Sequence, residues 1–273
     1  MADPQPYTMP ARTMILASEG PSPTFIRCFG PFSMTIQGRT IDLTALRPRI
    51  RRLLRLLAFN AGRPVHRELL IDVLWPGTDP ATAGRNLHVA VSTLRRVLEA
   101  DLPKGSASSL VSRDGESYRL CLPGDAVVDV VELDRRLDAA RLALDRKDPL
   151  EALGKFQRVL ALYDGDLLPE EGPADWIVGE RDRRRLEITE LARTLAEALV
   201  NAEKPTEAAW VCRRGVHVDR YHDALWRTLA RACELAGDLA AAARARRDYQ
   251  ALLLELGIPT PSSQDAWGVV SAS

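Results

Sequence analysis

The chain has 273 residues, of which 46% are hydrophobic and 27% charged, and its formal net charge is zero. That is enough for one large or two modest globular domains. The longest apolar runs are only a few residues, far short of the ~20 needed to span a bilayer. The apolar patch Met14–Ala17 is also shorter than the roughly 7–15 residues of a signal-peptide core, so residues 1–24 read as a flexible, proline-rich leader.

The zero net charge hides an asymmetry. Residues 1–124 carry 16 basic and 10 acidic side chains, net +6, while residues 125–257 carry 21 basic and 26 acidic, net −5. Segment 43–98 alone has ten arginines against Glu68, Asp72 and Asp79. A basic half joined to an acidic half suggests that only the first meets a polyanion.

In chain order, residues 25–43 (FIRCFGPFSMTIQGRTIDL) alternate apolar and polar positions around Gly30, Pro31 and Gly38, which predicts short antiparallel strands with a turn at Gln37–Arg39. Leu53, Leu54, Leu57 and Ala58 then mark one face of a helix that ends at Gly62 and Pro64. A short helix follows, with Leu69, Leu70, Val73 and Leu74 inward and Pro76–Gly77 as its stop. Residues 81–100 (ATAGRNLHVAVSTLRRVLEA) form a longer helix with the apolar stripe Leu87, Val91, Leu94 and Leu98. SLVSRDGESYRLCL then reads as a β-hairpin turning at Arg113–Asp114–Gly115.

Strands, three helices and a hairpin within about 100 residues match a winged helix-turn-helix, whose later helix enters a DNA major groove. At about 100° per residue, Arg85, His88, Ser92 and Arg96 fall on one sector of the third helix opposite Leu87, Leu94 and Leu98, with Arg95 at its border. Arginine, histidine and serine without acids suit base edges and phosphates. The simpler alternative is a solvated basic face. The order of elements, and seven arginines between positions 47 and 67 with no acid among them, favour the DNA reading.

From residue 126 onward the pattern is helical, with six candidate helices separated by short breaks. Glu207–Ala209 and Ala241–Ala243 stand 34 residues apart, the period of tetratricopeptide repeats. The expected architecture is mainly α with a small β content: a leader at 1–24, a winged helix at 25–124, a tetratricopeptide-like domain at 125–262 and a tail at 263–273.

Enzyme chemistry finds little support. There is no HExxH, GxSxG or GxxxxGK[ST], and Cys28, Cys121, Cys212 and Cys233 form no CxxC pair. Glu170 and Glu171 read as a solvated turn beside Pro169 and Gly172. Cys212 and Cys233 read as buried thiols in a reducing, cytoplasmic setting. No metal or cofactor is expected.

The stretches RIRRLLRLLAFNAGRPVHRELLIDVLWP, GRNLHVAVSTLRRVL, YDGDLLPEEGPADWIVGERDRRRLE and LLELGIPTPS together resemble the Streptomyces antibiotic regulatory protein family, over residues 25 to 262. The resemblance implies a transcriptional activator that binds direct repeats at promoters of secondary-metabolite (antibiotic) genes and recruits RNA polymerase with its sigma factor. It implies that the helix at 81–100 is the recognition helix and that Arg113–Tyr118 is the wing. It also implies that the loop Trp75, Pro76, Gly77, Thr78 and Asp79, continuing to Thr82, approaches polymerase. Two departures stand out: Ser117–Tyr118 replaces the usual Gly-Tyr of the wing, and Arg246 stands where related repeats favour an aromatic.

These readings combine into one expectation. Arg85, His88, Ser92 and Arg96 face the major groove, and Arg95, Arg47, Arg49, Arg51 and Arg52 hold phosphates. Arg113 reaches the backbone or the minor groove. Two protomers sit side by side on DNA, in the cytoplasm at the nucleoid and away from membranes. The alternative is a repeat-type interaction or signalling adaptor whose winged helix binds protein.

Overall fold

The computed structural model describes residues 24–100 and 110–259. The leader, apart from Thr24, and the tail lie outside the described residues.

β1 (Phe25–Arg27) and β2 (Ser33–Ile36) pair antiparallel, and β2 continues into β3 (Arg39–Thr40). The turn between β2 and β3 is Gln37–Gly38, both at positive φ, as a two-residue type I′ hairpin requires. Ile26, Met34 and Ile36 point into the core, and the residues between them are part-buried, which is the two-residue alternation read from the sequence.

α1 (Pro48–Phe59) starts with proline at its first turn, where no backbone donor is lost. β4 (Val65–His66), α2 (Arg67–Leu74) and α3 (Pro80–Leu98) follow. β5 (Val111–Asp114) and β6 (Ser117–Leu120) form the hairpin, and β4 adds to β6 to make a three-stranded sheet. Leu87, Val91, Leu94 and Leu98 of α3 are buried with Leu53, Leu54 and Leu57 of α1 in one core. Each such side chain contributes about 1.5–3 kcal/mol on burial.

After the hairpin the chain returns to the first sheet. β7 (Val127–Val128) pairs parallel with β1, completing the order β3-β2-β1-β7. This strand is only two residues long, too short for a periodicity signal. The remaining described chain holds α4 (Asp129–Asp145), α5 (Pro149–Leu162), a short 3-10 helix (Pro169–Glu171), α6 (Asp175–Asn201), α7 (Pro205–Val218), α8 (Asp223–Leu235) and α9 (Leu239–Glu255). These α-helices coincide with the six read from the sequence, and successive ones pack as hairpins. Asp148 and Asp238 cap α5 and α9 by accepting from the amides of Glu151 and Ala241. Small residues set the helix spacing: a Cβ on Gly215 would lie 2.7 Å from Leu225 Cδ1 and 3.0 Å from the Ala192 Cβ. Cys212 and Cys233 are buried free thiols, as read. Arg246 of α9 pairs with Glu234 of α8 across their hairpin, so the departure from an aromatic is met by an ion pair.

The winged helix and the helical domain are joined along a polar seam. The Gly30 amide donates to the Asp166 carbonyl at 2.9 Å, and the Leu168 amide to the Cys28 carbonyl at 2.8 Å. Asp129 Oδ2 accepts from the amides of Cys28 (2.7 Å) and Phe29 (2.9 Å). Glu170 accepts from the Phe32 amide at 2.7 Å. The Glu171 side chain is fully buried and accepts from Arg52 Nε at 2.6 Å and Arg55 Nε at 2.5 Å. The expectation of a solvated Glu170–Glu171 turn therefore holds for Glu170, which stays exposed, and is overturned for Glu171. The arginines that neutralise Glu171 lie 116 and 119 positions earlier in the chain, beyond the reach of any local pattern.

Candidate nucleic-acid interface

α3 is fixed at its start by Asp79, whose carboxylate accepts from the Thr82 amide at 2.9 Å, and by Pro80 in its first turn. That backbone hydrogen bond, with the Thr82 side chain next, holds the Asp79 carboxyl below its ordinary pKa. Arg95 and Arg96 in the last turn complement the helix dipole. The apolar stripe packs against α1 and α2, which leaves the opposite sector outward.

Arg85, His88, Ser92 and Arg96 are all exposed on that outward sector. Arg85 Nη2 donates to Thr82 Oγ1 at 2.9 Å, which steadies the guanidinium against its own helix. Val89 lies among these polar residues and is 66% exposed.

The hairpin stands beside α3. The two turn residues are Gly115 and Glu116, one position later than the sequence suggests, with Asp114 still in strand β5. Gly115 has φ +55° and Glu116 is not among the positive-φ residues, the pattern of a type II′ turn with glycine first. Arg113 Nε donates to the Gly115 carbonyl at 2.9 Å, and Arg113 Nη1 lies 3.3 Å from His88 Nε2. Arg113 also stacks over Tyr118, 5.9 Å from the ring centre. The hairpin and α3 thus share one basic surface.

Arg67, at the start of α2, joins this surface. Its Nη1 donates to Glu116 at 2.7 Å, and a Cβ on Gly84 of α3 would lie 2.9 Å from its Nη2. Arg113 Nη2 reaches the other Glu116 oxygen at 3.3 Å. Hydrogen bonding to Arg67 lowers the Glu116 pKa, and the same bond raises that of Arg67.

The structure thus brings Arg85, His88, Ser92, Arg96 and Arg113 onto one face. Among the other expected contacts, Trp75 needs correction, and Arg95, Arg52 and Asp79 have partners within the protein. Arg95 is half-buried and its Nε donates to the Val111 carbonyl at 2.8 Å, so it fastens α3 to the wing instead of standing free beside it. Arg52 is bound to buried Glu171 at the domain seam. Trp75 is 6% exposed and packs in the core, so it is not a contact on the α2–α3 loop. Asp79 caps α3 and remains exposed. The exposed residues of that loop are Pro76, Gly77 and Asp79, with Thr78 partly covered. Arg47, Arg49 and Arg51 sit at the start of α1, whose packed side meets the apolar stripe of α3. Arg47 and Arg49 are exposed there and Arg51 is partly buried.

Sequence reasoning missed Val89, Arg67 and Glu116. Val89 had a legible signal, an apolar residue only 40° from Arg85 on the polar sector. Arg67 and Glu116 are 49 positions apart and meet only through the β4–β6 pairing, which also brings the Arg67 amide to the Glu116 carbonyl at 2.8 Å.

Three α-helices and a winged sheet, followed by a helical domain, define a winged-helix regulator with a helical partner domain. Comparisons with known proteins agree. The family described as "Transcriptional regulatory protein, C terminal" matches residues 40–120, and the "Bacterial transcriptional activator domain" family matches residues 128–264. The chain is 27% identical to the transcriptional regulatory protein MoaR1 of Mycobacterium tuberculosis over 236 residues, 82% of this chain and 71% of that protein. It is 27% identical over 150 residues to the transcriptional regulatory protein EmbR of Mycobacterium tuberculosis, 53% of this chain and 34% of that one. The solved structure of Mycobacterium tuberculosis EmbR, in complex with a low-affinity phosphopeptide, superposes with a TM-score of 0.68 at 23% identity. That match covers 88% of this chain and 62% of the other, and it supports the fold alone. The chain belongs to the bacterial transcriptional activator domain family, in the two-domain arrangement of the Streptomyces antibiotic regulatory proteins.

Proposed function

We propose that this transcriptional regulator is a sequence-specific activator that binds direct repeats in promoter DNA through α3 and the wing. The observation that carries the reading is the exposed sector Arg85, Val89, Ser92 and Arg96, with Arg113 of the wing beside it. Arginines on such a sector can pair bidentately with guanine, and Val89 can meet the C5-methyl of thymine. In this reading Arg113 and Arg67 hold the phosphates that flank a helix seated in the groove.

In this reading the helical domain does not touch DNA. Its net acidity disfavours phosphates, and its tetratricopeptide-like stacking suits contact with RNA polymerase or an adjacent protomer. Pro76, Gly77 and Asp79 are the exposed residues of the α2–α3 loop through which it would approach polymerase and its sigma factor. Genes for secondary metabolites, including antibiotics, are the proposed targets on family resemblance. The protein acts in the cytoplasm at the nucleoid. Among the described residues no helix is long and apolar enough to cross a membrane.

Footprinting on the DNA flanking its own gene, with and without polymerase, tests the reading. Protection of two tandem sites, with affinity falling steeply as salt rises, is the expected result. Undetectable or salt-independent binding would sink it.

A further inference from the structure

Glu116 is an acid in the middle of a basic surface. Its carboxylate bonds two guanidiniums at once, Arg67 at 2.7 Å and Arg113 at 3.3 Å, and both lie over the N-terminal half of α3, beside Gly84 and His88. All three side chains are a third to a half exposed, so a docking duplex can reach them. We propose that Glu116 is a built-in stand-in for a DNA phosphate: it holds Arg67 and Arg113 in place in the free protein, and a phosphate displaces it when the duplex docks. The proposal rests on the DNA-binding reading above.

The chemistry favours exchange. Carboxylate and phosphate present the same forked acceptors to a guanidinium, and an exposed ion pair of this kind is weak. The hairpin turn itself stays in place during exchange. The Arg67 amide holds the Glu116 carbonyl at 2.8 Å, and Arg113 Nε holds the Gly115 carbonyl at 2.9 Å, so only the carboxylate has to swing away. Because phosphates recur at every step of the duplex, the exchange acts on any sequence. Glu116 therefore sets overall affinity, not base preference.

The test is fluorescence anisotropy of the full chain with a labelled promoter duplex and a mixed-sequence duplex, each across a potassium chloride series. Glu116→Gln is expected to tighten binding to both duplexes by a similar factor, about 3–10-fold at low salt, with the salt slope little changed, because the same arginines meet the same phosphates in both complexes. Glu116→Asp, which keeps the charge, is expected to behave as wild type. The gain from Glu116→Gln is expected to shrink in an Arg67→Ala background. Asp114→Asn removes a charge from the same hairpin without freeing these arginines and is expected to give a smaller gain. Unchanged or weaker binding by Glu116→Gln, an equal gain from Asp114→Asn, or a gain that persists undiminished without Arg67 would each overturn the proposal. If wild type binds neither duplex, the DNA-binding reading fails and this inference fails with it. Wild-type binding without the Glu116 effect overturns the inference alone.

Discussion

Glu171, from the loop between α5 and α6, accepts a hydrogen bond from Arg55 of α1 across the seam between the winged helix and the helical domain, with Arg52 on its second oxygen. A buried carboxylate between two guanidiniums ties the helix that supports α3 to the domain that follows it.

Replacing Glu171 with alanine leaves Arg55 buried without its counter-charge and is expected to cost about 3–5 kcal/mol of stability. Urea unfolding followed by circular dichroism measures it. The double change Arg55→Met with Glu171→Leu should recover most of the loss, because an apolar pair of similar volume needs no compensation for lost hydration.

Gly30 sits at the same seam with φ +73°, and a Cβ there would lie 2.8 Å from the Asp164 backbone carbonyl. Gly30→Ala adds left-handed strain of about 1–3 kcal/mol to a clash with backbone that cannot swing aside. A lowered thermal midpoint is expected. The cost should exceed that of Gly62→Ala, where φ is +77° and nothing lies within 4 Å.

Asp129 gives a pH signature. Burial raises its pKa, opposed first by the Phe29 and then by the Cys28 amide. A carboxyl with a raised folded pKa favours folding while protonated. Its contribution is complete below the ordinary aspartate range and is lost as pH rises through the folded pKa. Asp129→Asn should remove this fall, so its stability relative to wild type should grow across that interval. Parallel pH series of urea unfolding check this, and identical pH slopes for the two proteins would contradict it.

On the DNA side, Arg85→Ala or Arg96→Ala should each cost about 1–3 kcal/mol of promoter affinity and relax preference at one base position if the side chain reads a base. Competition between promoter and scrambled duplexes measures both effects.

Val89 is expected to contact a thymine methyl. Replacing thymine by deoxyuridine at the contacted position should weaken wild-type binding a few-fold and leave Val89→Ala unaffected. A scan of single substitutions through each repeat locates the position. If no substitution separates the two proteins, Val89 has no methyl partner.

Much of this molecule was legible from residue order. The alternation around Ile26, Met34 and Ile36, the stripe Leu87–Val91–Leu94–Leu98 and the six later helices all report contacts within a turn or a strand, where periodicity and burial coincide. The polar sector of α3 was legible for the same reason: a helix with one buried stripe must expose the other side. The two-residue strands β4 and β7 were not, because pairing with distant strands defines them and their own side chains carry no period.

The sequence by itself therefore determined the order of elements and which face of α3 looks outward, since local geometry dictates both. Only the tertiary structure decided how each arginine is used. Arg52 went to Glu171, Arg95 to the Val111 carbonyl, and Arg67 and Arg113 to Glu116. A guanidinium takes whichever acceptor the fold brings within about 3 Å, and these acceptors arrive from 16, 49 and 119 positions away, or from the far side of a turn.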